Sequence, residues 1–235
     1  MGKNAFMSIE AAEARWPKLL SLAVHEFRTP ITVVAGYLRM VLRERAGPIS
    51  DQQRKLLEEA EKSCGRLSAL VTEMSDLSAI EGGTAPFNAV PLDLEGVLNE
   101  AVERLPALPD REVGVVLEQD GQARLSGDAT RLKSALTALV VALRREVVTS
   151  DRLILRRVSG EFAGAPVSKL AFGEPETIEA IASADPASLD RFNEWRGGSG
   201  LSLAIARRVI ERHGGSLLAP PDGTTAGAVV LLPRL

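Results

Sequence analysis

The sequence predicts an α+β chain in two parts: an antiparallel helical hairpin that pairs with a second copy as a four-helix bundle, and an α/β sandwich after it. Three observations lead there. Two long segments carry apolar residues at alternating intervals of four and three; Gly82-Gly83 and Pro86 interrupt the pattern; beyond them, short strand-like runs alternate with helical ones. The boundaries expected are 1–83 and 84–235.

The first seam runs Leu20, Val24, Phe27, Ile31, Val34, Leu38 and Val41, the period of a helix with one apolar stripe. Pro17 suits the first turn of that helix, where a missing N–H is harmless. Pro30 lies within it and deprives the Glu26 carbonyl of its usual partner, so a bend or a loosened turn is expected. Gly47-Pro48 closes the segment. Ser50 and Gln53 stand at capping-box spacing and open a second helix whose seam is Leu56, Ala60, Ser63, Leu67, Leu70, Met74 and Leu77. A lone hairpin buries too little surface, so a homodimer is expected.

After the linker the pattern reads as a helix from about Asp93 to Leu105, a strand Val113 to Leu117 and a helix Asp128 to Arg145. Strands Leu153 to Val158 and Val167 to Phe172 follow, with a short acidic helix near Pro175 to Ala182. A helix Leu201 to His213 comes next, then a strand pair turning at Asp222-Gly223 and closing with Val229 to Leu232. The expected arrangement is helices on one face of a mixed sheet.

Composition removes several functions. The 235 residues hold one cysteine, two histidines, 28 basic and 31 acidic residues, for a net charge of −3. Cys64 alone excludes an internal disulfide and a cysteine zinc site, which favours a reducing, cytoplasmic setting. There is no basic surplus for nucleic acid. The longest apolar run, Ala135 to Leu143, is interrupted by Thr137 and is far short of a membrane span. The start MGKNAFMSIE is not a secretory signal. Any sensing part is expected outside this chain, because Met1 to Arg15 is too short for one.

With two histidines, each counts. In His25-Glu26-Phe27-Arg28-Thr29-Pro30, His25, Glu26 and Thr29 project outward if Val24 and Phe27 face the seam. A neutral imidazole is a nitrogen nucleophile, and a carboxylate on its other ring nitrogen fixes the tautomer and raises nucleophilicity. The string His-Glu-Phe-Arg-Thr-Pro, with its two seamed helices, resembles the H-box of the dimerisation and phosphotransfer domain of two-component sensor histidine kinases over about residues 15 to 83. The resemblance implies His25 as phosphoacceptor, Glu26 as its acid/base partner and Thr29 as a residue that positions water. Arg28 would steer a phosphoryl group.

Gly197-Gly198-Ser199-Gly200-Leu201-Ser202-Leu203 resembles the last glycine box of the family's ATP-binding domain. A glycine turn opening a helix offers N–H groups and a positive dipole end to phosphates, so Gly198, Gly200 and Leu201 are the candidate cofactor-binding residues, read as a vestigial loop. His213, before Gly214-Gly215, reads as a helix C-terminal residue favoured by the dipole.

The family chelates Mg²⁺ with an Asn on the helix that here reads Leu139-Val140-Val141-Ala142-Leu143-Arg144. The Asn position falls on Ala142 or Val141, and the chain has no Asn between Asn99 and Asn193. Arg144 or Arg145 replaces the nearby basic residue without binding metal. The family's adenine-reading Asp-x-Gly-x-Gly is also missing; Leu170-Ala-Phe-Gly173-Glu174-Pro175-Glu176 stands there, with Glu174 or Glu176 as displaced substitutes. Without metal-binding residues, autophosphorylation from ATP is expected to be weak or lost. The expected function is exchange of a phosphoryl group between His25 and the aspartate of a response-regulator receiver domain. That step needs no cofactor beyond the receiver's own Mg²⁺. An ATP-driven kinase core with an atypical nucleotide site and a pseudokinase scaffold are the alternatives.

Overall fold

The computed structural model describes residues 3–119, 121–195, 200–222, 224 and 226–235, with side chains from Trp16 onward. The chain divides into two compact units, Met1–Ala85 and Pro86–Leu235.

The first unit is two helices, α1 (Lys3–Leu42) and α2 (Asp51–Glu81). Helix α1 starts fourteen residues before Pro17, so Pro17 lies inside it and not in its first turn, and the helix is continuous through Pro30. The Pro17 carbonyl is tied across the hairpin by the Ser78 hydroxyl at 2.7 Å. Helix α2 opens with the predicted capping box: the Gln53 N–H donates to Ser50 Oγ at 3.2 Å and the Ser50 N–H to Gln53 Oε1 at 2.8 Å. In the connecting turn, Arg54 holds the last turn of α1 by donating to the Leu42 carbonyl at 3.1 Å and pairing with Glu44.

The seams divide. Leu20, Val24 and Ala35 of α1 are buried against Cys64, Val71 and Ser78 of α2, a line at heptad spacing. Phe27 is 52% exposed, Leu56 68% and Leu67 51%. The stripe expected as the seam of α2 is therefore left largely open in one chain, bordering α1 along Ala60, Ser63 and Leu67. Each helix carries a wider apolar surface than one partner helix can cover, and the hairpin uses one edge of it. Ile31, Val34, Leu38, Ala60, Ser63 and Leu67, with Pro30 and Cys64, line an open groove between the helices.

The second unit runs β1 (Val90–Asp93), α3 (Leu94–Glu103), β2 (Gly114–Gln119), β3 (Arg124–Gly127), α4 (Ala129–Glu146), β4 (Arg152–Phe162) and β5 (Ala165–Gly173). It continues with α5 (Ile178–Ser183), a 3-10 turn Pro186–Ser188, α6 (Ser202–Arg212), β6 (Ser216–Leu218) and β7 (Gly227–Pro233). The main sheet has the order β2-β4-β5-β7-β6, with β2 parallel to β4 and the other pairs antiparallel. Strands β1 and β3 form a separate antiparallel pair that the sequence did not disclose, because each is four residues long and β1 contains Pro91. Strands β4 and β5 turn at Ala163-Gly164, both with positive φ, the two-residue geometry that suits strand twist. The expected turn at Asp222-Gly223 is only partly within the described residues.

Helices cover both faces of the sheet, which corrects the one-sided arrangement expected. Leu153, Leu155, Leu170, Phe172, Val230 and Leu232 are wholly buried on one face. On the other, Val167, Ala171, Val229 and Leu231 pack with Ile178 and Ile181 of α5. A Cβ on Gly173 or Gly227 would come within 3.0 Å of Ile181 Cδ1, so two glycines let α5 lie flat on the strands. Lys169 projects from β5 beneath α5 and donates to the carbonyls of Ala182 at 2.7 Å and Ala184 at 2.5 Å. Burial pushes its ammonium below the ordinary lysine range, with the charge of Asp185 opposing. Arg156 adds an ion pair to Glu179 at 2.6 Å. A six-residue helix is too short to hold itself, and these contacts replace the intrahelical bonds that it lacks.

Candidate functional site

His25 lies midway along α1 with its side chain 79% exposed, and that of Glu26 is 70% exposed. His25 Nδ1 and Glu26 Oε1 are 3.4 Å apart. With the Nδ1 proton turned to that carboxylate, the Nε2 lone pair is left free for an incoming electrophile. Thr29 is exposed one turn along the same side, and Arg28 is exposed beside it. The Arg28 carbonyl accepts from the Thr32 hydroxyl at 2.8 Å, a back-bond that loosens a helix next to Pro30. At 100° per residue, the exposed Leu22, Val33 and Met40 fall on the same side as His25 and Thr29. That strip is legible only as the spacing 22, 33, 40, because the polar His25 and Thr29 interrupt it.

In the second unit, Ala142 is buried and Val141 half-buried in α4. Arg144 points inward: its Nε donates to the Val113 carbonyl at 2.9 Å and its Nη1 to the Pro106 carbonyl at 3.0 Å. Arg145 is exposed. Glu174 follows β5 and is wholly buried. Its Oε1 accepts from the N–H groups of Val148 (2.9 Å), Thr149 (2.7 Å) and Ser150 (3.2 Å) and from the Thr149 hydroxyl (2.8 Å). As a displaced adenine reader Glu174 is thereby corrected: its carboxylate is an internal ligand of the turn after α4. Glu176 accepts from the same hydroxyl at 3.2 Å. A Glu directly after a buried strand, facing Thr149-Ser150 beyond a helix end, was the available signal.

Of the glycine box, Gly198 lies outside the described residues. Gly200 has φ +59, and Leu201 begins α6 without a side-chain cap. Ahead of the box, Glu194 is held by the buried Arg207 of α6 at 2.5 Å, and Arg207 also pairs with Glu211 at 3.0 Å. Burial opposes the charge on Glu211, yet hydrogen bonds from Arg207 and Arg208 hold its carboxyl below the usual range. His213 does more than favour a helix dipole. Its Nδ1 lies 2.7 Å from the Val209 carbonyl and its Nε2 accepts the Asp128 N–H at 3.0 Å, which fixes the Nδ1–H tautomer and locks α6 to the start of α4.

Residues 18–83 match the His Kinase A (phospho-acceptor) domain. The Sensor protein GacS of Pseudomonas syringae pv. syringae is 27% identical over 97% of this chain and 26% of its own length. The Sensor protein DivL of Caulobacter vibrioides is 31% identical over 86% of this chain and 26% of its own. Full-length ShkA, crystallised in complex with AMPPNP, has a TM-score of 0.65 at 19% identity, covering 93% of this chain and 46% of that one; this likeness is one of fold. Residues 18–83 are a His Kinase A phospho-acceptor domain, and the matches together support a two-component sensor histidine kinase core. The chain spans about a quarter of the length of the curated relatives it matches. The histidine kinase core consists of the phospho-acceptor hairpin and an ATPase-like α+β unit. Among its described residues no helix is long and apolar enough to cross a membrane, and no group of three His, Cys, Asp or Glu side chains is placed to hold a metal ion.

Proposed function

We propose that this histidine kinase core is a histidine phosphotransferase, in which His25 exchanges a phosphoryl group with the aspartate of a response-regulator receiver domain. The observation that carries the reading is a contrast between its two units. The hairpin presents an exposed His25 with Glu26 at Nδ1. In the second unit the groups at the nucleotide positions are spent on the fold: Glu174 on the turn after α4, and Arg144 on two carbonyls.

In the forward step the Nε2 lone pair attacks phosphorus of the aspartyl phosphate. The Nε2–P bond forms as the acyl P–O bond breaks, and the receiver's carboxylate leaves with that electron pair. Glu26 keeps the Nδ1 proton in place and offsets the positive charge that grows on the ring. The receiver supplies its own Mg²⁺ for the phosphoryl oxygens, so His25, Glu26, Thr29 and Arg28 are the residues this chain contributes. The strip of Leu22, Val33 and Met40 beside His25 is surface that a docked receiver would cover. A homodimer places two such sites on one four-helix bundle, and autokinase activity from ATP is lost or weak.

The test is label transfer. A receiver phosphorylated with ³²P transfers acid-labile label to the wild-type protein and none to His25→Ala. Absence of label with every receiver offered sinks the proposal. Transfer of the γ-phosphate of Mg-ATP to His25 at a normal kinase rate restores the autokinase instead.

A further inference from the structure

The Gly82-Gly83 pair, expected to end the hairpin and start a linker, is spent on the end of α2. The N–H of Gly83 donates to the Ile80 carbonyl at 3.1 Å, and those of Thr84 and Ala85 both donate to the Ala79 carbonyl at 2.9 Å. With Gly83 at φ +66 this is a Schellman cap that only a left-handed residue completes. Every N–H from Gly82 to Ala85 is bonded back onto α2.

One peptide bond later the chain is tied elsewhere. The Pro86 carbonyl accepts from Arg131 Nε at 2.8 Å, and the Asn88 N–H donates to Asp128 Oδ2 at 3.1 Å. The Phe87 ring meets His213 edge to face with centroids 4.8 Å apart, and the Arg212 guanidinium stands 4.8 Å over the same ring. His213 cannot shift: both ring nitrogens are bonded, and a Cβ at Gly127 would come within 2.3 Å of its Cδ2.

We infer that residues 86–88 are a fixed strap of the second unit, anchored by Phe87 on His213, and that the hinge of the chain is confined to the Ala85–Pro86 junction. Pro86 fixes its own φ and restricts Ala85 to extended backbone. Rotation there is narrow where a glycine linker would be free. The inference stands apart from the chemistry at His25 and holds for any of the family's activities.

Amide hydrogen exchange on the full chain tests it. In the wild type, the amides of Gly83 to Ala85 and of Asn88 exchange at least about tenfold more slowly than in an unstructured chain. Phe87→Ala raises exchange at Asn88 and Asp128 and leaves Gly83 to Ala85 unchanged. Arg212→Ala, which removes only the cation above the ring, does the same by a smaller factor and serves if the alanine at 87 unfolds the unit. A Gly-Ser insertion between Ala85 and Pro86 leaves both sets protected. Free-chain exchange across 83–88 in the wild type overturns the inference, as does unchanged exchange at Asn88 in both variants or loss of protection on either side of the insertion.

Discussion

The Glu174 carboxylate, wholly buried at the end of β5, accepts both the backbone N–H and the hydroxyl of Thr149, at 2.7 and 2.8 Å. A buried carboxylate survives only with such partners. The same oxygen also takes the N–H groups of Val148 and Ser150, so the turn after α4 is organised around an acid from a strand.

Glu174→Gln therefore acts on stability. It replaces a charge-assisted acceptor and buries an amide NH₂ among donors, at about 1–3 kcal/mol. Urea unfolding followed on the second unit will show the midpoint fall, with nucleotide affinity unaltered. A drop in nucleotide affinity at constant stability would make Glu174 a ligand-binding residue instead.

Glu26→Gln isolates the chemistry at His25. The amide cannot hold the Nδ1 proton as a carboxylate does, so phosphotransfer from a receiver slows by about a hundredfold. Helix content stays the same, because the side chain is exposed. Circular dichroism and a single-turnover transfer assay check the two halves of this expectation.

Leu67 is half-exposed in the groove beside Ile31 and Val34, a position without apolar cover in one chain. Leu67→Glu places a charge in the bundle core of a dimer and leaves the packing of Cys64 and Val71 on α1 intact. Sedimentation will report a monomer for the variant and a dimer for the wild type.

Asp128 caps α4 through the Arg131 N–H at 3.0 Å and holds Asn88 with its other oxygen. Burial opposes the charge, but these two backbone bonds, with Arg131 and His213 nearby, keep the carboxyl below the usual aspartate range. A carboxyl lowered on folding contributes fully above its unfolded pKa, about 3.9, and the contribution is lost as pH falls through the folded value. Asp128→Asn keeps a capping oxygen without the charge. The wild type will be the more stable at pH 6, and the difference in urea midpoint will shrink on acidification below pH 4.

Gly127 faces the His213 ring with no room for a Cβ. Gly127→Ala destabilises the second unit by about 1–3 kcal/mol through overpacking. Combining it with His213→Ala gives less than the sum of the two single losses, because the clash disappears with the ring; thermal melts of the four proteins complete the cycle.

Much of this was legible in the residues. Ser50 and Gln53 announce the start of α2 because a capping box is local chemistry, complete within four residues. Asp93 and Asp128 lead their helices for the same reason. His25 and Glu26 are neighbours on one helix, so their exposure follows from periodicity. The seam of α2 was legible as apolar but not as to what covers it, since a period of 3.5 marks a stripe and not its partner. Strands β1 and β3 were not legible: four residues with a proline carry no periodicity, and they are held by each other across 30 residues of chain.

By itself, the sequence determined the two-part order, the starts of α2, α3 and α4, and the exposed His25 as candidate nucleophile, all set by spacings of seven residues or fewer. Tertiary structure alone decided which apolar edge of α2 meets α1, that α5 lies on the second face of the sheet, and that Glu174 is spent inside the fold. It also turned the second histidine from a dipole-favoured helix end into the lock between α6, α4 and Phe87. The physical reason is common to these cases: a buried polar group must find its partner wherever the chain brings one, and Thr149 for Glu174, or Asp128 for His213, is adjacent only after folding.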